Sequence, residues 1–102
     1  MHVILLHPLG SNASFWDLVF GGPLPAGYHA LDLPGHGAAT GTPPNGLAEY
    51  TKCVVEHVQS EIGSGAAPVV VVGISLGGLV AQQMLISKEL NVVGLVLGTL
   101  GP

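Results

Sequence analysis

Pro68-Val69-Val70-Val71-Val72-Gly73-Ile74-Ser75-Leu76-Gly77-Gly78-Leu79-Val80-Ala81-Gln82-Gln83-Met84-Leu85-Ile86 joins two unlike segments through one tight turn. Residues 68–72 are a run of valines behind a proline, the composition of a strand buried on both faces. Residues 79–86 read as a helix. Between them stands Gly73-Ile74-Ser75-Leu76-Gly77, a G-x-S-x-G. A strand, a sharp turn carrying this pattern and a helix make up a nucleophile elbow. The chemistry asks for these residue types. The serine must stand on a strained turn, its hydroxyl clear of the sheet. Side chains two residues before and two after would collide, which Gly73 and Gly77 avoid. Ser75 then lies at a helix N-terminus, where free N–H groups and the macrodipole favour negative charge.

With 16 glycines in 102 residues, the bare pattern arises by chance roughly 0.14 times, so the flanking strand and helix carry the inference. The bland reading is a strand-to-helix turn of a nucleotide-binding fold. No Lys follows the glycines, so the turn is not a P-loop, and no G-x-G-x-x-G occurs anywhere.

Composition bounds the rest. A chain of 102 residues is at most one domain. Hydrophobic residues make up 48% and charged residues 8%, with a mean hydropathy of +0.60, which suits strands covered on both sides. Lys52 and Lys88 are the only basic residues besides histidine and the net charge is −4, so no basic surface is available for nucleic acid or anionic lipid. The longest apolar stretches, such as residues 92–100, are too short to span a bilayer. The N-terminal apolar run lacks the positive lead-in of a signal peptide. Cys53 has no partner for an internal disulfide, which makes a reducing cytoplasm the expected location.

Along the chain, residues 1–7 read as a strand and His7-Pro8-Leu9-Gly10-Ser11-Asn12 as a loop. A short helix follows, with Asn12 or Ser14 as N-cap and Phe15, Trp16 and Val19 on its apolar side. Gly21-Gly22-Pro23 and Pro25-Ala26-Gly27 break it. Residues 28–33 read as the second strand and residues 34–46 as a long polar loop. Leu47–Ile62 is a helix with Leu47, Tyr50, Val54, Val55, Val58 and Ile62 on one face, ended by Gly63-Ser64-Gly65. The third strand and the elbow helix follow, the helix running to Glu89 or Asn91, and residues 92–98 form the fourth strand.

Four strands alternating with three helices predict an α/β fold with a parallel sheet. Two strand orders keep every crossover right-handed. The order second-first-third-fourth puts helices on both faces and leaves less apolar sheet bare. It also makes a switch point between the first and third strands, where ligands bind beyond the carboxyl ends. The loops there are His7-Pro8-Leu9-Gly10 and the Ser75 turn.

Three stretches together resemble the α/β-hydrolase family: His7-Pro8-Leu9-Gly10-Ser11, Asp32-Leu33-Pro34-Gly35-His36-Gly37 and Gly73-Ile74-Ser75-Leu76-Gly77-Gly78. Their order and spacing match the family over essentially the whole chain, most closely its small cofactor-free bacterial esterases, enol-lactonases and non-haem haloperoxidases. The resemblance implies that residues 1–102 are a single partial domain equivalent to family strands three to six. It implies Ser75 as nucleophile and the Leu9 and Leu76 backbone N–H groups as oxyanion hole, with no cofactor and no metal. The usual His-Gly of the first loop is His7-Pro8 here, which reshapes that loop and keeps Leu9 as its donor. In the family the acid and histidine of the triad follow later strands, so the resemblance gives neither a position in this chain.

The remaining polar residues read more simply as structure. His7 and His36 brace loops at the rim, and Asp32 does the same. His2, His29 and His57 lie on strand ends or a helix face, and no H-x-H or H-x-x-x-H spacing marks a metal site. Asp17 is a solvated helix residue and Cys53 an inert one. The sequence therefore predicts a serine hydrolase segment acting on an ester, lactone or related carbonyl substrate, onto which the remainder of a hydrolase chain packs. Alternatives are a binding module that keeps the pocket without the relay, and an acyltransferase using the same serine.

Overall fold

β-Branched and leucine-rich runs become the four strands of a computed structural model, which describes residues 1–63 and 67–99. They are β1 (His2–Leu6), β2 (Tyr28–Leu31), β3 (Val69–Ile74) and β4 (Val92–Gly98), and all neighbouring pairs are parallel in the order β2-β1-β3-β4. Strand β1 is central in chemistry as well as in place. Leu5 pairs with Ala30 on one side and Val72 on the other, and Leu6 with Leu31 and Gly73. The sheet thus has the expected order, with its switch point between β1 and β3.

Helix α2 (Leu47–Ile62) buries Tyr50, Thr51, Val54, Val55 and Val58 along one side, and Ile62 packs at its margin. Leu47, expected on that side, is exposed at the first turn. Helix α3 (Leu76–Ser87) buries Val80, Ala81 and Met84. Both helices meet the sheet face of Ile4, Leu6, Leu31, Val69 and Val71 in one core. Fully burying a Val or Leu side chain is worth about 1.5–3 kcal/mol, so this layer dominates stability. Leu5 points to the other face and is also buried. The step from β1 to β2 runs opposite to the step from β1 to β3, so a right-handed crossover carries α1 (Phe15–Phe20) to that second face.

Three local expectations are corrected. Helix α3 ends at Ser87, short of Glu89, because Lys88 adopts a left-handed φ of 59° and turns the chain. Helix α1 buries Trp16 alone; Val19, Leu18 and Phe20 are exposed on a helix too short to repeat an inward face. Ser14 takes the N-cap position without capping through its side chain; Asn12 Oδ1 instead accepts the Ser14 N–H at 2.9 Å. Gly63 does close α2, donating its N–H to Gln59, whereas Ser64, Gly65 and Leu100 lie outside the described residues.

The second face stays thinly covered toward β4. Val72 pairs with Val96 on that face, and Val93 and Val96 are both 54% exposed, whereas Leu97, paired with Gly73, stands on the α3 side and is 48% exposed. Among the described residues, no helix is long and apolar enough to cross a membrane.

The glycines of the turn hold α3 against the sheet. A Cβ on Gly77 would collide with the Leu6 carbonyl, its carbon only 2.7 Å away, and would lie 2.9 Å from His7 O. A Cβ on Gly73 would strike the Gly77 carbonyl and lie 2.7 Å from Gly78 N. At Gly78 the nearest atom, Gly73 O, is 3.4 Å off. Gly77→Ala should therefore lower stability by about 1–3 kcal/mol or more, as overpacking does. Gly78→Ala, gaining helix propensity of up to about 1 kcal/mol, should be neutral or stabilising. Urea midpoints of the two variants check this; equal midpoints would remove the steric account.

Candidate active site

Ser75 closes β3 and opens α3. Its φ of 56° and ψ of −116° lie where a non-glycine residue is strained by about 1–3 kcal/mol, as the Gly73/Gly77 spacing predicts. Three contacts over-determine the conformation. The Ser75 N–H donates to Gly98 O at 3.1 Å, the Ser75 carbonyl accepts the Leu79 N–H at 3.1 Å, and the glycines on either side admit no displacement. The residue is exposed at the carboxyl edge of the sheet. It borders a cleft of about 360 Å³ whose walls include Leu79, Leu97, Gly98 and Gln82. Leu76 is the first residue of α3, so its N–H belongs to the helix-terminal donors that have no intrahelical partner.

The neighbouring loop leaves β1 at the same edge. The Ser11 N–H donates to Pro8 O at 3.2 Å, and Gly10 has φ 79°, the marks of a type II turn with Leu9 and Gly10 at its centre. Such a turn leaves the N–H groups of both central residues pointing away. That of Gly10 is taken by His36 Nε2 at 2.9 Å. That of Leu9 meets no turn or loop carbonyl among the described residues, and Leu9 itself is 70% exposed. The Pro8–Ser11 turn thus leaves the Leu9 N–H without a turn or loop acceptor among the described residues.

Two histidines and an aspartate fix this turn. His7 is fully buried. Its Nε2 accepts the Leu33 N–H at 3.0 Å, which puts the ring proton on Nδ1, facing Pro8 O at 2.8 Å. Burial pushes the His7 pKa below its ordinary value, with the nearby His36 adding to the effect. The Pro8 carbonyl and the Asp32 charge oppose it without overcoming it. His36 repeats the arrangement one layer out: Nε2 accepts from Gly10, and Nδ1 faces Pro34 O at 3.1 Å. Burial also acts on Asp32, raising its pKa. The Ala38 and Ala13 N–H groups, at 3.0 and 2.7 Å, and the His7 and His57 rings outweigh it, so the carboxyl sits below its usual value. A Cβ on Gly37 would run into that carboxylate, which accounts for the glycine.

With both nitrogens committed, neither His7 nor His36 can take a proton from Ser75. His57 lies on α2, 3.6 Å from Glu61, and His2 pairs with His29 at the other end of β1. The structure therefore brings the Leu9 turn and the Ser75 elbow to adjacent strand ends, and no histidine among the described residues hydrogen-bonds the serine. The tautomers of His7 and His36 were not readable from sequence, because their partners are backbone atoms of another loop.

Because the unfolded chain protonates His7 near pH 6.5 and the folded chain resists it, the folded state loses stability as pH falls below about 6.5. Asp32 adds a second loss as pH falls below the ordinary carboxylate value of 3.8, where its carboxylate is protonated against the loop N–H groups. Melting temperatures measured between pH 8 and pH 5 should fall, and His7→Gln should flatten that fall while lowering stability at pH 8. An unchanged slope in the variant would show that His7 is not the buried neutral group.

The description "Alpha/beta hydrolase family" belongs to a family model that matches residues 3–102. Among curated proteins, the chain is 36% identical over 98 residues to the pimeloyl-[acyl-carrier protein] methyl ester esterase of Klebsiella pneumoniae subsp. pneumoniae, covering 93% of this chain and 35% of that protein. The enzyme of the same name from Salmonella heidelberg is 34% identical at the same coverage. Among solved structures, a thermophilic esterase superposes with a TM-score of 0.72 at 32% identity, covering 95% of this chain and 36% of its own. An enzyme that degrades N-acyl homoserine lactones gives 0.74 at 25% identity, covering 95% and 37%. The chain spans about a third of the length of the curated relatives it matches.

Proposed function

The chain belongs to the alpha/beta hydrolase family, and from that membership we propose that it is the nucleophile-bearing part of a serine hydrolase in which Ser75 attacks an ester, lactone or related carbonyl. The observation that carries the proposal is the strained φ of Ser75 at the head of α3, held by Gly73 and Gly77. Strain kept at an exposed hydroxyl is the signature of a positioned nucleophile. The Leu76 N–H, unpartnered at the helix start, and the Leu9 N–H, left free by the Pro8–Ser11 turn, are assigned to the oxyanion hole. One such donor is typically worth about 10²–10³ in rate.

The reaction also needs a base for the serine and an acid to orient it. We assign both to protein outside residues 1–102, because each of the five histidines is committed elsewhere or distant from Ser75. The same reasoning assigns the exposed β4 side chains Val93 and Val96 to contact with further parts of a hydrolase chain. The methyl ester esterase relatives and the structural neighbour that degrades N-acyl homoserine lactones support an ester or lactone substrate, a small carbonyl compound. A reducing cytoplasm suits the single exposed thiol of Cys53. No cofactor enters the scheme.

Ester turnover by the protein carrying this chain should fall by about 10³-fold or more in Ser75→Ala, as for the loss of other catalytic serines. Release of acid in water, with no transfer to an added alcohol, separates the hydrolase from an acyltransferase. Residues 1–102 expressed alone should turn over p-nitrophenyl esters far more slowly than ordinary esterases and should self-associate. A cooperatively melting monomer with Ser75-dependent turnover at ordinary esterase rates would refute the incomplete-relay reading. Unchanged turnover in Ser75→Ala would refute the nucleophile.

A further inference from the structure

At the end of β1 opposite Ser75, two imidazoles stand together. His29 sits beside Ile4 in the β1–β2 register, so His2 and His29 are offset by two residues on neighbouring strands and share one face of the sheet. His2 Nδ1 lies 2.9 Å from His29 Nε2, the ring centroids are 5.0 Å apart, and the planes meet at 48°. Both residues are half-buried, so solvent reaches them while the strands restrain them. Nothing in the proposed hydrolase chemistry uses this pair, and 27 positions of sequence hide it from any spacing pattern.

We propose that His2 and His29 form a two-ligand site for a divalent transition metal of square-planar or octahedral preference, Cu(II) or Ni(II). The ligand set selects the class. Imidazole nitrogens bind such ions at about 2.0–2.1 Å, and two of them at a right angle stand about 2.9 Å apart. The hydrogen bond between the two rings already holds these nitrogens 2.9 Å apart, so a small movement brings both to one ion. A site of two imidazoles and water also leaves Zn(II) short of its usual four protein ligands, and Cu(II) stands above Zn(II) in the general affinity order. Small ring rotations about χ2 turn both lone pairs from each other toward a common point. The proton now shared between the facing nitrogens moves to the other nitrogen of its ring, so two neutral imidazoles bind without net proton release. Water fills the remaining positions, since no cluster of three or more histidine, cysteine or carboxylate groups occurs among the described residues.

The parallel pair also gives the ion a structural effect. It cross-links β1 to β2 at the end of the sheet farthest from the Ser75 turn, and a ligand of the folded state alone raises stability by mass action.

The test is calorimetric titration of untagged protein, in a Cys53→Ser background that removes the competing thiol, with Cu(II), Ni(II) and Zn(II) in turn. One equivalent of Cu(II) and of Ni(II) should bind, both tighter than Zn(II). His2→Asn and His29→Asn should each weaken binding by roughly 10²-fold, the effective concentration of the second imidazole being lost. His57→Asn should bind as the parent does. Ni(II) should raise the melting temperature of the parent and of His57→Asn, and leave that of the two asparagine variants unmoved. Electron paramagnetic resonance of the Cu(II)-loaded parent should show two coordinated nitrogens, a readout that needs no variant to fold. Titrations of His2→Asn or His29→Asn that overlay the parent would overturn the site. So would Zn(II) binding tighter than Cu(II), or a Cu(II) spectrum with fewer than two nitrogens.

Discussion

Everything at the carboxyl edge of the sheet depends on a missing methyl group. Gly77 lets the first turn of α3 rest directly on the Leu6 and His7 carbonyls at the end of β1. With a side chain there, the helix would stand off, and the elbow and the Pro8–Ser11 turn would separate. Gly73 performs the complementary task inside the elbow, giving the Gly77 carbonyl room. These contacts are steric, so they transmit position without compliance, as close-packed interiors do. The strained dihedral of Ser75 is sustained by them and not by any hydrogen bond of its hydroxyl.

A second layer of control is polar. His7, His36 and Asp32 tie the β1 loop to the β2 loop through backbone groups alone: Pro8, Gly10, Ala13, Leu33, Pro34 and Ala38. Each of the two rings donates with Nδ1 and accepts with Nε2. The His7 bonds at its heart are buried, the outer ones to Gly10 and Ala38 are exposed, and every ring nitrogen and carboxylate oxygen in it has a partner. The same completeness removes it from proton transfer. Residue types that look catalytic in the sequence are therefore scaffold in the fold, and among the described residues the serine is the exposed side chain at the rim that stands on a strained backbone.

The parallel order β2-β1-β3-β4 and the elbow were legible in the sequence, because Val69 to Val72 announce a buried strand and the Gly73/Ser75/Gly77 spacing has one steric meaning. The face of α2 was legible from its 3.6-residue period, save for Leu47 at the unsupported first turn. Helix α1 was less so: six residues give one turn and a half, too few for periodicity to say that Trp16 alone turns inward. The end of α3 was missed because a left-handed lysine, unlike a glycine, leaves no mark in the sequence. The free Leu9 N–H depends on a turn type and on a histidine tautomer 26 residues away, and the pairing of His2 with His29 depends on strand register. These are long-range facts that local patterns do not encode.

The central position of β1 also has a consequence in time. Strand β1 can meet β2 across a short connection, but its other partner, β3, lies some sixty residues farther on, with all of α2 between. Closing so long a loop costs entropy before any contact repays it, and parallel pairing of this kind is slow. The seat of Gly77 on Leu6 does not exist until that closure happens. The contact of elbow with turn therefore waits on that closure, because the partners that brace the Leu9 loop all lie in the β1 and β2 loops and the elbow does not.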